Sequence, residues 1–307
     1  MKTAALIFAA ALASPAATYF VTVAGLGGEA EYDQRFTGIA TEIDKLLKAS
    51  GGGARVETLH GPAATKAKLI EILSGIARSA SPQDMVALML IGHGTFDGID
   101  YKINLPGPDI SATELASLLD RIPASQQLVV NMTSASGGSV ALLKRQGRAV
   151  ITATKSGTEK NATVFSRYWA EALRDPACDT DKNEAISALE AYRYANDKTV
   201  RFYESQKRIA TEHAQIEDTG KADPVRDPSA QNGQGLLAAR FAMLRIGSAQ
   251  KAAATPEKRK LLEKKEALEQ QIARLKYQRA AMPTEDYKRQ LSALLIELAR
   301  TQAELDQ

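Results

Sequence analysis

The chain has 307 residues, of which 44% are hydrophobic and 24% are charged, and its formal net charge is +3 at pH 7. This composition excludes wholesale disorder, and so small a net charge gives no reason to expect nucleic acid or a membrane surface as a partner. The single cysteine, Cys178, excludes an internal disulfide and a thiolate zinc cluster. The length leaves room for one α/β domain of roughly 200 to 250 residues and an additional segment.

The amino terminus has the features of a secretory signal peptide. Lys2 supplies a positive charge, an apolar run covers 4–13, and small residues follow up to Ala16, where we expect cleavage. The alternative is a frayed apolar helix. Since no other apolar run approaches the roughly 18 residues of a membrane span, we predict a signal peptide over 1–16, no membrane span, and an exported protein, either periplasmic or secreted.

Strand-like apolar runs alternate with helical periodicity over most of the chain. Ser111 and Glu114 have the spacing of a capping box, which predicts the start of a helix that continues to Leu119. Alternating strands and helices predict a mostly parallel sheet with helices on both faces. The predicted strands are 19–26, 55–59, 85–91, 127–132 and 149–154, and the other predicted helices are 35–49, 63–77 and 236–244.

The carboxyl-terminal segment, 255–307, has two regular apolar seams among charged residues. Pro283 separates the seams, and a proline between two helical patterns is typical of a helix–turn–helix connection. We therefore predict a helical hairpin or coiled coil that serves packing or self-association. The seam residues are Leu261, Leu268, Ile272 and Leu275 in the first run and Tyr287, Leu291, Leu294, Leu298 and Leu305 in the second.

Two of the predicted strands end in small and polar residues. His93 follows the strand at 85–91 and lies between two glycines, whereas Ser134 follows the strand at 127–132 and precedes a Gly-Gly pair. Catalytic groups of open α/β sheets collect at the carboxyl ends of the strands. The two segments therefore predict a site that combines a histidine with a hydroxyl nucleophile.

This arrangement resembles the caspase and legumain superfamily of cysteine peptidases, and looks closest to its bacterial legumain-like members. In that superfamily one strand ends in His-Gly and a later strand ends in a Cys-x-Ser-Gly segment, and 92–94 and 134–137 occupy those places here. The resemblance implies a caspase-haemoglobinase-like domain over 17–247. It also implies that His93 is the acid/base and that the backbone N–H groups of Gly94 and Ser134 form an oxyanion hole.

The departure from the superfamily is Ser134, which stands where its members have cysteine. A thiol has a reference pKa near 8.5 and is intrinsically nucleophilic, whereas a serine needs a histidine that a carboxylate orients. Asp97 and Asp100 are near His93 in sequence, but the sequence does not place either carboxylate. The serine favours a catalytically impaired homologue that binds a polypeptide substrate or protein partner, or acts in assembly.

Three alternatives to that interpretation stay open. The first is an active endopeptidase that uses a His93/Ser134 dyad. The second is a structural envelope protein that acts through the helical hairpin, and the third is a coincidence of two strand ends without a site. Peptidase chemistry of this kind requires no cofactor.

A polar segment at 179–190 has the oxygen spacing of a calcium-binding loop. Glu184 counts against calcium because glycine usually supplies the turn at that position, and Pro176 interrupts the incoming helix. The alternative is a polar loop that caps a helix. The other histidines, His60 and His213, have no partner at metal spacing and are predicted to be structural or surface residues. The candidate Ca²⁺ ligands are Asp179, Asp181, Asn183, Ala185 through its carbonyl, Ser187 and Glu190.

Overall fold

The computed structural model describes residues 16–50 and 53–307. The predicted signal peptide, residues 1–16, lies outside the described residues except for Ala16. None of the helices in the described ranges combines the length and the apolar character that crossing a membrane requires.

The described residues form eleven strands and ten α-helices. The strands are β1 (Thr18–Ala24), β2 (Arg55–Leu59), β3 (Met85–Ile91), β4 (Gly94–Phe96), β5 (Tyr101–Ile103), β6 (Ile110–Ser111), β7 (Gln126–Asn131), β8 (Arg148–Thr152), β9 (Ala185–Ser187), β10 (Gln215–Glu217) and β11 (Ala242–Arg245). The helices are α1 (Ala30–Ala49), α2 (Lys66–Ser79), α3 (Ala112–Asp120), α4 (Val140–Leu143), α5 (Phe165–Arg174), α6 (Ala188–Ser205), α7 (Leu236–Ala239), α8 (Gly247–Ala252), α9 (Pro256–Gln278) and α10 (Thr284–Leu305).

Six strands form the main sheet in the order β2-β1-β3-β7-β8-β10. The first five are parallel to their neighbours, and β10 pairs antiparallel with β8. The predicted fold class, an α/β protein with a mostly parallel sheet, is confirmed. Strands such as β3 are continuous apolar runs because both faces of the sheet are covered.

Helices cover the sheet on both faces, as predicted, and form two separate cores. Side chains of a strand alternate between its faces, so Ala87, Met89 and Ile91 of β3 pack in one core with α1, α5 and α6. Val86 and Leu90, which alternate with them, pack in the other core with α2, α3 and α4. The predicted capping box at the start of α3 is present, since Ser111 and Glu114 exchange side-chain and backbone hydrogen bonds.

The start of β8 carries a buried arginine. Arg148 is 1% exposed, and its guanidinium donates to Gln127 Oε1 at 2.9 Å and to the Leu143 carbonyl at 2.8 Å. It also donates to Asp120 Oδ1 at 2.7 Å. A buried charge is tolerated only when it is paired and hydrogen-bonded, and these contacts join β8 to the ends of α3 and α4.

Two small sheets lie outside the main one and were not predicted. The antiparallel strands β4, β5 and β6 follow His93 directly, with Gly94 opposite Ile103. The strands β9 and β11 form an antiparallel pair. The helix predicted over 236–244 is therefore wrong beyond Ala239, because the apolar residues of 242–245 continue as β11. A short apolar run does not distinguish the two structures by periodicity.

The carboxyl-terminal segment forms the predicted helical hairpin. The two helices are antiparallel, since the Lys258 Nζ at the start of α9 donates to the Leu305 carbonyl at the end of α10 at 3.0 Å. The Arg245 guanidinium bonds both carboxylate oxygens of Glu266 at 2.7 and 2.9 Å, which attaches α9 to β11. Five α9 side chains are buried (Leu262, Lys265, Leu268, Ile272 and Leu275), but on α10 only Thr301 and Leu305 are.

Candidate functional site

His93 lies at the carboxyl end of β3, immediately after a turn at Gly92. Gly92 has φ of +144°, a conformation that favours glycine. The imidazole ring packs edge-on against two aromatic rings of α1, with centroid distances of 4.8 Å to Tyr32 and 5.2 Å to Phe36. Burial lowers the pKa of His93, and the nearby Arg35 guanidinium lowers it further. Both effects favour the neutral form of the imidazole, which packs against α1.

Ser134 lies after β7, the strand next to β3, and is 2% exposed. Its Oγ accepts a hydrogen bond from the Gly94 N–H at 3.0 Å and donates to the Gly94 carbonyl at 3.2 Å. A serine hydroxyl has one proton to donate, and here that proton is directed to Gly94. The structure thus brings the two predicted segments together through Ser134 and Gly94, while the His93 ring faces α1.

The same contacts occupy the predicted oxyanion donor at Gly94, because its N–H points at the Ser134 hydroxyl. Gly94 has no room for a side chain. A Cβ there would lie 2.5 Å from the Tyr101 ring and 2.7 Å from the Ser134 carbonyl oxygen. Glycine at this position allows β4 to approach both the Ser134 segment and Tyr101.

A buried polar network holds the segment that carries Ser134. Tyr101 of β5 is fully buried and hydrogen-bonds the Thr133 hydroxyl and the Asn131 side chain. Asn131 Nδ2 in turn donates to Ser139 Oγ at 3.1 Å. Burial raises the pKa of Tyr101 far above its usual value, so its hydroxyl stays protonated. No local sequence pattern indicates this network, because it joins residues about thirty positions apart in the chain.

Close packing also fixes the turn after Ser134. Ala135 has φ of +55°, and its N–H donates to the Glu159 carbonyl at 2.7 Å. A Cβ on Gly138 would lie 2.6 Å from the Phe96 ring, and one on Gly157 would lie 2.1 Å from it. These glycines are needed because Phe96 of β4 packs directly over them.

Glu159 also orients a histidine that the sequence analysis predicted to be a structural or surface residue. Its Oε1 lies 2.5 Å from His213 Nδ1, and its Oε2 accepts the His213 N–H at 3.1 Å. Oε2 also accepts the Lys155 N–H at 2.9 Å. The His213 imidazole therefore has an orienting carboxylate, and the backbone of the same Glu159 contacts Ala135. No sequence signal connects two residues so far apart in the chain.

The loop at 179–190 contains an acidic triad that could bind a metal ion. Single carboxylate oxygens of Asp179, Asp181 and Glu190 lie within 4.8 Å of one another. Burial raises the pKa of Asp181, and the neighbouring Glu190 carboxylate raises it further. Glu184, which sequence reasoning counted against calcium, has φ of +67° and adopts the turn conformation that glycine usually supplies.

The candidate ligands of this loop also hydrogen-bond one another's backbone. Glu190 Oε2 accepts the Ser187 N–H at 3.0 Å and Ser187 Oγ accepts the Glu190 N–H at 3.2 Å, which forms a capping box at the start of α6. Asp179 accepts the Asn183 N–H at 3.2 Å. Asn183 Oδ1 accepts the Ala185 N–H at 2.8 Å. The helix-capping interactions weighed in the sequence analysis are therefore present in this loop.

Cys178 precedes this loop and does not take part in either site. It lies in a short 3₁₀ turn, Pro176–Cys178, and is 1% exposed. Burial raises the pKa of its thiol to about 12. Since only a thiolate is nucleophilic, burial holds this cysteine in its unreactive thiol form.

The geometry defines an α/β protein with a histidine and a serine at the ends of neighbouring parallel strands. No protein-family model matches the sequence, and no curated protein matches it. The fold is similar to the Drosophila initiator caspase Dronc, with a TM-score of 0.47 and 9% identity over 68% of this chain and 82% of the caspase. It is also similar to protein GSU0716 from Geobacter sulfurreducens, with a TM-score of 0.47 and 11% identity over 76% of this chain and 100% of that protein. Neither likeness assigns a role to a residue of this chain.

Proposed function

We propose that this chain is a caspase/legumain-like peptidase homologue with impaired catalysis, exported from the cell, that acts as a polypeptide-binding or assembly module. One observation carries the proposal. The Ser134 hydroxyl forms both of its hydrogen bonds with the backbone of Gly94. The Ser134 hydroxyl therefore occupies the Gly94 N–H, which is one of the two groups expected to stabilise an oxyanion.

The surroundings of His93 support impairment. A serine nucleophile requires a histidine that takes its proton and a carboxylate that orients this histidine. The His93 ring packs against Tyr32 and Phe36, and the nearby Asp33 carboxylate accepts the Gly27 N–H at 2.7 Å. The carboxylate of Asp97, which is close in sequence, accepts the N–H groups of Ile99 and Asp100 at 2.9 Å each and so closes its own turn.

An open depression lined partly by Glu159, whose carbonyl accepts the Ala135 N–H, supports polypeptide binding. It has a volume of about 550 Å³, and its lining includes Lys155, Glu159, Ile209 and His213. Ile209 is 90% exposed. An exposed apolar side chain among polar and charged groups suits contact with a peptide that offers both apolar and polar groups.

Cleavage and capture of a peptide library by the purified mature protein test this proposal. We expect no cleavage by the wild type, with or without calcium, and capture of a subset of peptides. Ile209→Glu should reduce the capture, whereas Thr41→Glu, at an exposed position of α1 outside the depression, should not. Cleavage by the wild type that disappears in Ser134→Ala would establish the active endopeptidase instead. Cleavage gained in Ser134→Cys would support a preserved cleft that lacks only its thiol.

Self-association is proposed for the hairpin. Leu291, Leu294 and Leu298 stay half-buried after α10 packs on α9, and Leu295 and Ile296 are 48% and 55% exposed. Two helices leave one side of such a seam uncovered, and a second copy of the hairpin would cover it. Sedimentation of the full chain should reveal a dimer that Ile296→Glu dissociates and Glu285→Gln preserves. If the dimer is present, and function is lost in Ile296→Glu but kept in Ser134→Ala, the structural envelope alternative gains support.

Calcium is the ion to test at the acidic triad. All-oxygen donor sets suit hard cations, and positive charge would offset the repulsion among Asp179, Asp181 and Glu190. Calcium should then raise the melting temperature of the wild type and have no effect on Asp181→Asn. If calcium has no effect on either protein, the loop is a helix cap closed by its own hydrogen bonds.

A further inference from the structure

The residue that follows the expected cleavage point is fixed by two hydrogen bonds. Ala17 immediately precedes β1. Its N–H donates to Asp84 Oδ1 at 2.7 Å, and its carbonyl accepts the Met85 N–H at 2.9 Å. Thr18, the next residue, pairs with Met85 in the main sheet. The start of the sheet therefore determines the position of the Ala17 nitrogen, which lies against a carboxylate.

The carboxylate of Asp84 is buried and accepts few hydrogen bonds. Asp84 is 7% exposed, and its two oxygens accept the N–H groups of Ala17 and Ser81, each at 2.7 Å. None of the ion pairs formed within 16–50 and 53–307 includes Asp84. Asp218, which is also 7% exposed, accepts three N–H groups. Because a buried carboxylate is stabilised by a cation or by several hydrogen bonds, Asp84 suits a further, positively charged donor.

Cleavage after Ala16 would change the chemistry of the Ala17 nitrogen. Hydrolysis of the Ala16–Ala17 peptide bond consumes one water molecule and leaves a carboxylate on Ala16 and, at neutral pH, an ammonium on Ala17. The amide has one proton to donate, whereas the ammonium has three and carries a positive charge. Asp84 would then contact a cation at a position that the sheet has already fixed.

The place of this peptide bond in the fold indicates when the ammonium would form. Ala16 is exposed, Ala17 is half-buried, and neither belongs to a helix or a strand. Since β1 begins with the next residue and proteolysis favours exposed, unfolded segments, cleavage would precede the pairing of β1. Folding would then bring the new ammonium to Asp84.

We propose that removal of 1–16 creates an ion pair between the α-ammonium of Ala17 and the carboxylate of Asp84, and that this pair stabilises the exported chain relative to its precursor. The proposal rests on the export proposed above, and it places the cleavage between Ala16 and Ala17. The cationic partner of Asp84 is thus produced by processing and is not the side chain of a lysine or an arginine.

Thermal unfolding of two chains that differ only in their first residues tests the pairing. One chain begins at Ala17, and the other begins at Ser14, so that Ala17 keeps its amide. A charge-assisted hydrogen bond is about twice as strong as a neutral one, so we expect the chain that begins at Ala17 to have the higher melting temperature, by about 2 °C. Acetylation of the Ala17 amino group should abolish this difference. Equal melting temperatures of the two chains, or no effect of acetylation, would overturn the proposal.

Asp84→Asn and a matched control locate the effect. Asp84→Asn keeps the side-chain shape and removes the charge, so the chains that begin at Ala17 and at Ser14 should then melt at the same temperature. Asp109, whose carboxylate accepts the Leu105 N–H at 3.0 Å, lies near the carboxyl ends of the strands, away from Ala17. Asp109→Asn should therefore keep the difference between the two chains. A difference that persists in Asp84→Asn would place the ammonium elsewhere and refute the pairing.

Mass spectrometry separates the pairing from the export on which it rests. Expression of the full 307-residue chain in a bacterial host should yield an exported protein that begins at Ala17. A chain that stays unprocessed, or that begins at another residue, would overturn the proposal through its cleavage step. An exported chain that begins at Ala17 but melts no higher than the chain that begins at Ser14 would overturn the ion pair alone and leave the proposed export standing.

Discussion

The two hydrogen bonds between Ser134 and Gly94 predict that replacing the hydroxyl will destabilise the fold. In Ser134→Ala, the N–H and the carbonyl of Gly94 both lose a partner, from distances of 3.0 and 3.2 Å. The position is 2% exposed, so water does not readily replace the hydroxyl. A buried polar group that loses its partner costs about 1–3 kcal/mol. For the pair we expect a loss of about 2 kcal/mol in the free energy of unfolding.

Thermal and urea unfolding of the full chain measure this loss. In a chain of this size about 2 kcal/mol corresponds to a decrease of roughly 3 °C in melting temperature. Ser117→Ala, on the exposed face of α3, is the matched control and should change stability by less than about 0.5 kcal/mol. Active-site residues often lower the stability of the folded protein, so replacing a catalytic serine by alanine can leave stability unchanged or raise it. If Ser134→Ala proves as stable as the wild type or more stable, the hydroxyl is not a structural element and the reasoning for impairment fails.

Three further predictions concern groups around the sheet. Gly94→Ala should lower the free energy of unfolding in urea by about 1–3 kcal/mol, because its Cβ would lie 2.5 Å from Tyr101. A variant as stable as the wild type would contradict this packing. Burial raises the pKa of Glu212 from 4.5 to about 7, so the folded state binds a proton that the unfolded state has lost, and stability should fall as pH rises through that window. In Glu212→Gln that decrease should be smaller, and an unchanged pH profile would refute the assignment. Asp120→Ala removes a carboxylate partner of the buried Arg148 and should lower the free energy of unfolding by about 1–2 kcal/mol in urea. This loss is smaller than for a fully buried ion pair because Asp120 is half-exposed. An unchanged stability would show that Gln127 and Leu143 satisfy the arginine alone.

The main sheet could be predicted because its strands are covered on both faces. Burial on both faces makes β3 apolar throughout and β1, β7 and β8 predominantly apolar, which a sequence displays directly. The small strands β4, β5 and β6 contain glycine, lysine and threonine, and tertiary contacts, such as the packing of Tyr101, determine their structure. Tertiary packing also decides the end of the helix predicted at 236–244, where pairing with β9 turns the chain into a strand.

For the candidate site, the sequence predicts which backbone segments meet but not where their side chains point. His93 and Ser134 follow neighbouring strands, and the segments do meet through Gly94. The direction of the His93 ring depends on Tyr32 and Phe36, which are about sixty residues earlier in the chain. The spacing of the polar residues at 179–190 was also ambiguous, between a helix cap and a calcium-binding loop. Ser187 and Glu190 repeat the capping-box spacing of Ser111 and Glu114, yet the same oxygens also fit a calcium loop.

The burial of Cys178 has a practical consequence for experiments on this protein. The residue is 1% exposed, and burial raises the pKa of its thiol to about 12, so thiol reagents at neutral pH meet neither a thiolate nor an accessible side chain. The folded chain therefore behaves as a cysteine-free background without any mutation. A cysteine introduced at Ile99, which is 86% exposed in the turn between β4 and β5, would be a unique attachment point for a fluorophore or spin label next to the candidate site.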